Sequence, residues 1–263
     1  MTEAHDRGQA APLRWGGLAW RAAVVLAIVA LFVGYIVAVH GTGNADEDST
    51  DGAVAEQRQV VARGRPVTIA VAVKRWVGVY GHADDARPWR TMRTPNDLGA
   101  PLTFLVLSKE PGWVHVLLPT RPNGSTGWVR SSDVGLSHTD YRIDVSLSRH
   151  RMQLRKRNAT ILDRPVAVGA AKTPTPKGLF YVTVLLRPPD PDGAYGPYAF
   201  GLSGHSTVLF HFGGGPGQIG LHGTNEPESL GGSVSSGCIR VSDATVRRLA
   251  TIVPLGTPVT VSG

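Results

Sequence analysis

Residues 219–240 read IGLHGTNEPESLGGSVSSGCIR and hold the chain's one cysteine, Cys238, sixteen positions after His222. A thiol is a useful nucleophile only as thiolate, and an imidazole brought beside it can take the proton. Gly237 removes side-chain bulk just before the sulfur, so a substrate carbonyl has room to approach the backbone. Backbone N–H groups around Gly237 and Cys238 are then candidates for holding a tetrahedral oxyanion, with the Ser236 hydroxyl as a further donor. On an extended segment Arg240 shares the face of Cys238, within reach of a thiolate or of a substrate carboxylate. The competing reading is a buried structural cysteine, because free cysteine packs well in cores. A single cysteine also excludes any intramolecular disulfide, and with it a disulfide-stapled scaffold.

Outward from this stretch the pattern is β. Tyr141, Ile143, Val145 and Leu147 alternate on one face, and Met152 and Leu154 follow a turn. Further strands are expected at Arg164–Val168, Leu179–Leu185 and Val208–Phe212. One helix is expected near the end, with Ser242 as N-cap and Val246, Leu249 and Ile252 as its apolar face. It stops before Pro254, and Gly256 supplies a turn. The expectation is a β-sandwich or barrel-like domain over residues 141–263 with one short helix. Farther upstream, residues 66–136 alternate short apolar runs (VTIAVAV, TFLVLS, WVHVLLP) with turn signals, and Asn123-Gly124 marks a hairpin. Such spacing predicts a small β-barrel. Gly (32) and Pro (19) are abundant, which suits this mainly β reading.

His-Gly-Thr at 222–224 followed by Ser-x-Gly-Cys-Ile-Arg at 235–240 resembles the YkuD-type L,D-transpeptidase signature. Thr173-Pro174-Thr175-Pro176-Lys177-Gly178-Leu179-Phe180 is similar to that family's upstream segment, and the likeness runs from about Tyr141 to Val261. The resemblance implies that Cys238 attacks, His222 is the base, and the Gly223 carbonyl orients the imidazole as third triad member. It places Ser236, Gly237, Arg240, Thr224 and Asn225 on the substrate or oxyanion side. One departure stands out: many relatives carry His where this chain has Ser236. Peptidoglycan stem peptides are the implied substrate, with crosslinks between third residues formed through a thioester. Carbapenem-type β-lactams are the implied covalent inhibitors, and no cofactor is implied. An L,D-carboxypeptidase, with water as acceptor, and a non-catalytic wall-binding protein are the alternatives. Residues 66–136 resemble bacterial Src-homology-3-like modules, for which wall binding, positioning and plain spacing are all open readings.

Arg187–Ser206 is a long Pro- and Gly-rich loop with Tyr195, Tyr198 and Phe200, an expected lid over the thiol. His205 and His211 lack the compact spacing of a zinc site, so no metal is expected. Residues 22–39 (AAVVLAIVALFVGYIVAV) carry no charge, and a run of ~18 apolar residues is near the lower limit for spanning a bilayer. Arg7, Arg14 and Arg21 precede it, while Asp46, Glu47, Asp48 and Asp51 follow. That asymmetry predicts a single-pass signal anchor with residues 1–21 cytoplasmic and the catalytic domain outside, a cleaved signal peptide being the rival. Residues 40–65 read as a flexible linker. The net charge of +7 is scattered, so a nucleic-acid partner is not expected.

Overall fold

The computed structural model describes Ala55, Gln59, Val61 and residues 64–263, all within one compact unit, Ser49–Gly263. The expected tail (1–21), membrane anchor (22–39) and most of the linker lie outside the described residues. Among the described residues, no helix is long and apolar enough to cross a membrane. Val61, at the end of the expected linker, is helical and buried.

The first module contains β1 (Val67–Ala72), β2 (Trp76–Val79), β3 (Arg90–Arg93), β4 (Thr103–Glu110), β5 (Trp113–Leu117), β6 (Thr126–Arg130) and β7 (Val134–Thr139). Five of these form an antiparallel sheet in the order β6-β5-β4-β1-β7, and β2 pairs with β3. Reciprocal backbone bonds between Tyr80 and Trp128 tie the β2–β3 hairpin to β6. Alternation along β4 and β5 sends side chains to two faces. Phe104, Val106, Val114 and Val116 join Val77 and Val79 in the module's own core. Leu105 and Leu117 point the other way, into a second cluster with Val61, Val67, Leu179 and Tyr181. Tyr181 is fully buried in that cluster, and its hydroxyl donates to the Leu117 carbonyl at 3.1 Å. Each side chain so buried stabilises the contact by roughly 1.5–3 kcal/mol. The two modules are therefore joined through an apolar seam as well as through the chain.

The second module adds β8 (Tyr141–Ser146), β9 (Arg151–Lys156), β10 (Ala159–Pro165), β11 (Val168–Gly169), β12 (Gly178–Leu186), β13 (Ala199–His205), β14 (Gln218–His222), β15 (Ser233–Ser235), β16 (Ile239–Arg240) and β17 (Pro258–Ser262). Its main sheet runs β10-β9-β8-β17-β12-β13-β14-β16. Of the sandwich and barrel-like forms expected, the strands take the second: one continuous sheet curled about a single core. Ile143 and Met152 near one edge share that core with Leu221 and Ile239 at the other. Register shifts in β12 between Val182 and Val184, and in β13 between Gly201 and His205, mark irregularities of the kind that bend strands. The C-terminal helix (Asp243–Ala250) buries Val246 and Leu249 in the same core, and the Ser242 hydroxyl caps it by accepting from the Thr245 N–H.

Two expected strands shift. The Arg164–Val168 run splits between the end of β10 and the start of β11. Val208–Phe212 is not a strand: it lies in a loop between β13 and β14, with Val208, Phe210 and Phe212 exposed. Apolar composition suggested a ladder, but a strand needs a partner with free backbone groups. Here the Ser206 hydroxyl accepts the Val208 and Leu209 N–H groups instead, and the GGGPG that follows turns the chain back.

Candidate active site

Parallel pairing of β14 with β16 brings the two halves of the opening stretch together, with Leu221 opposite Ile239 and His222 opposite Arg240. Cys238 immediately precedes β16. A Cβ placed on Gly220 would lie 3.5 Å from His222 Cδ2 and 3.6 Å from Cys238 Sγ, so imidazole and thiol converge over this one glycine. The Gly220 N–H donates to the sulfur at 3.3 Å. His222 is buried, and its Nδ1 lies 2.7 Å from the Gly223 carbonyl oxygen. A carbonyl only accepts, so Nδ1 carries the proton and Nε2 keeps its lone pair. The family resemblance implies this same neighbour for the imidazole.

Burial pushes the His222 pKa down to about 4, opposed by the Gly223 hydrogen bond and reinforced by the Arg240 charge. Burial also raises the Cys238 pKa above the ordinary thiol value, opposed by the Gly220 N–H and by Arg240. Near neutrality the pair rests as thiol and neutral imidazole. With this resting state, any attack by the sulfur would need its proton to pass to the imidazole during the step, because no standing ion pair precedes it.

The peptide segment before the thiol is fixed by hydroxyls. Thr175 Oγ1 donates to the Gly237 carbonyl at 2.8 Å, and Thr173 Oγ1 donates to the Ser235 carbonyl at 3.1 Å. Ser235 Oγ donates to the Cys238 carbonyl at 2.6 Å and accepts the Gly237 N–H at 3.1 Å. The Gly237 N–H is thus turned inward, against the expectation that it faces an oxyanion. Gly237 has φ of +116°, a conformation that requires glycine. Ser235 was not singled out from the sequence, and the roles of Thr173 and Thr175 became visible only with the fold. Their signal lay in the quoted TPTPKG segment.

Arg240, for which the resemblance implies either a substrate-side or a structural role, is held in an ion pair. Its Nη1 pairs with Glu226 Oε2 at 2.7 Å, and the Glu226 N–H donates to Thr224 Oγ1 at 3.1 Å. The Thr224 N–H in turn donates to Asp243 Oδ1 at 3.1 Å. Arg240 and Thr224 therefore brace the turn after His222, and Glu226 and Asp243 are the partners that sequence reading missed. Asn225 and Ser236 are exposed.

The expected lid is divided. Tyr195 packs its ring 4.7 Å from that of His222 at a 53° tilt. Tyr198 accepts the Gly223 N–H on its carbonyl at 3.3 Å, while its ring lies 5.5 Å from the Arg187 guanidinium. Phe200 is not a lid residue: it sits in β13, almost fully buried in the core, because strand alternation turns it inward. Cys238, His222 and Tyr195 line a cleft of about 1030 Å³ whose other wall includes Trp76, Arg90, Arg93 and Arg121 from the first module. Among the described residues, no group of three or more His, Cys, Asp or Glu is arranged to hold a metal ion.

Residues 140–261 match the family described as the YkuD L,D-transpeptidase catalytic domain. Over these residues the chain is similar to a YkuD-type catalytic domain. The YkuD proteins of Bacillus licheniformis and Bacillus subtilis are 40% and 39% identical over 122 residues, in each case 46% of this chain. The chain spans 66% of the length of each of these relatives. Among solved structures, L,D-transpeptidase 3 from Mycobacterium tuberculosis with a faropenem-derived adduct is 18% identical. That similarity covers 57% of this chain and 91% of the other, with a TM-score of 0.39. The matched region contains the thiol, its histidine and the hydroxyl-braced segment, but not the first module's wall of the cleft.

Proposed function

We propose that this protein is a peptidoglycan L,D-transpeptidase working through a Cys238 thioester, anchored in the cell membrane by residues 22–39 with its catalytic domain outside. The observation that carries the reading is the Nδ1 contact of His222 with the Gly223 carbonyl, which leaves Nε2 as acceptor beside the converging thiol. Cys238 Sγ attacks the carbonyl of the third residue of a donor stem as its proton passes to His222 Nε2. The tetrahedral oxyanion is held by backbone donors near the sulfur, the Cys238 N–H in place of the inward-turned Gly237 N–H. Collapse breaks the amide bond, and the terminal D-alanine leaves with the proton from Nε2. A side-chain amine of a second stem then attacks the thioester, giving its proton to Nε2, and the thiolate departs and is reprotonated. Residues 66–136, read as a Src-homology-3-like module, hold substrate against the cleft. A β-lactam, as a strained acyl donor, enters the same first step.

The test supplies purified protein with a tetrapeptide stem, with and without an acceptor stem, and records products and intact mass. Crosslinked dimer and a carbapenem adduct on Cys238 are expected. Tripeptide alone, with acceptor present, would replace transpeptidation by hydrolysis. Cys238→Ala should abolish both products and adduct, and retained turnover in that variant would remove the thiol from the mechanism.

A further inference from the structure

The loop between β13 and β14, residues 206–217, supplies Phe212, Gly213, Gly214, Gly215 and Pro216 to the thiol cleft. Its ends meet where the Ser206 N–H donates to the Gly217 carbonyl at 2.8 Å. Inside that closure lies a side chain from the other module. Arg121, in the β5–β6 connection, donates through Nη1 to the Ser206 carbonyl and through Nη2 to the carbonyls of Leu209 (3.0 Å) and Pro216 (2.9 Å). Its guanidinium also sits 4.7 Å from the centre of the Phe210 ring. The loop sequence STVLFHFGGGPG has no carboxylate, so carbonyl dipoles and one aromatic face are what this loop offers the charge. A planar guanidinium with several donors can reach three carbonyls at once, and an ammonium cannot match that geometry.

Two further details show a built contact. Asn123, two residues on, pairs both ways with the His205 backbone: its Nδ2 donates to the carbonyl at 2.7 Å and its Oδ1 accepts the N–H at 2.8 Å. Gly217 has φ of +68°, and a Cβ there would lie 1.9 Å from the Leu209 carbonyl oxygen and 3.0 Å from Arg121 Nη2. The loop thus closes around the guanidinium only because residue 217 is glycine. At the loop tip, a Cβ on Gly213 would come 3.7 Å from the Tyr195 hydroxyl oxygen, and Tyr195 covers His222.

We propose that Arg121 is a positioning residue for the thiol cleft, holding loop 206–217 as its wall, so that the first module is a structural part of the site that receives substrate. As it concerns substrate, this rests on the transpeptidase reading. As it concerns the loop, it does not.

The experiment compares wild type, Arg121→Ala and Arg121→Lys in the full chain. Amide hydrogen exchange reads the loop, carbapenem acylation reads the cleft, and iodoacetamide alkylation reads the thiol alone. In Arg121→Ala, exchange over 206–217 should rise while the strands of both modules keep wild-type protection. Carbapenem acylation should fall roughly tenfold, mainly through the concentration giving half-maximal rate, while alkylation does not fall. Lysine should recover only part of the loss. Unchanged loop protection, full rescue by lysine, or a parallel fall in acylation and alkylation would each overturn the proposal. If wild-type protein is not acylated at all, the transpeptidase reading fails, and loop exchange still decides the role of Arg121.

Discussion

Two loops flank the thiol, and they are held in different ways. The loop before β13 is fixed from within the catalytic module. Gly196 and Gly223 pack backbone against backbone beside Asp243, where a Cβ on Gly196 would lie 2.7 Å from Gly223 Cα and 2.4 Å from Asp243 Oδ1. The loop before β14, besides its own internal bonds, is held from outside by Arg121, while Asn123 of the same module grips the end of β13 just before it. The first contact touches the turn that orients His222, and the second touches only the wall of the cleft. Disturbing the first should therefore damage chemistry, and disturbing the second should damage access.

The sharpest way to break this distinction is Gly223→Ala. The new methyl would sit 2.3 Å from Asp243 Oδ1 and 3.2 Å from Pro197 Cδ, so the turn must move and carry the Nδ1 acceptor with it. A displacement near 1 Å in such a turn costs about a hundredfold in rate. The loss should fall on the maximal rate of Cys238 acylation, with the half-saturating concentration little changed. A pure affinity defect would contradict the assignment. Gly217→Ala is the counterpart on the second loop, and its smaller effect, roughly tenfold, should lie in affinity, with alkylation of the thiol retained. If Gly217→Ala slowed alkylation as much as Gly223→Ala, the two loops would not differ as described.

How far this arrangement was legible beforehand follows the same division. That Cys238, His222 and the Gly223 carbonyl lie together was legible through the family resemblance of residues 222–224 and 235–240, which one parallel strand pair joins. The capped helix was readable because Ser242 and its apolar spacing are local signals. Arg121 was not, since its partners are carbonyls, which every residue has, about ninety positions along the chain. Val208–Phe212 misled because its apolar residues suggest a strand although its backbone groups are satisfied by Ser206 and within the loop. Phe200 misled because its loop-like Pro and Gly neighbours hide where β13 begins. Asn123-Gly124 marked the turn correctly, but the asparagine side chain serves the other module's His205 rather than the hairpin.

The resting state of the pair gives a milder test. With the thiol raised and the imidazole lowered by burial, thiolate accumulates only toward alkaline pH. Iodoacetamide alkylation of Cys238 should therefore climb from pH 6 upward through pH 9, following the thiolate fraction. A rate already flat between pH 5 and 8 would mean a standing thiolate–imidazolium pair. Tyr195→Ala, by opening His222 to water, should move its pKa back toward the ordinary value. Loosening the second loop by Arg121→Ala should not, because that loop does not touch the imidazole directly.

The last effect expected is on acid stability rather than on rate. An unfolded imidazole takes its proton near pH 6.5, while folded His222 resists until about 4. Between those values the unfolded state binds the extra proton, so stability falls as pH drops through the window and levels off below it. For His222 alone the full drop is about 3 kcal/mol. His115, stacked on Trp128 in the first module, and His205, beside Arg121, are also lowered by burial and act with the same sign. The measurement is urea unfolding at a series of pH values for wild type and His222→Gln. The variant cannot gain a proton at residue 222, so its stability should decline less steeply between pH 6.5 and 4, whatever its stability at pH 7. An identical slope in both proteins would mean that His222 is already solvated enough to titrate normally, and the buried neutral base would have to be given up.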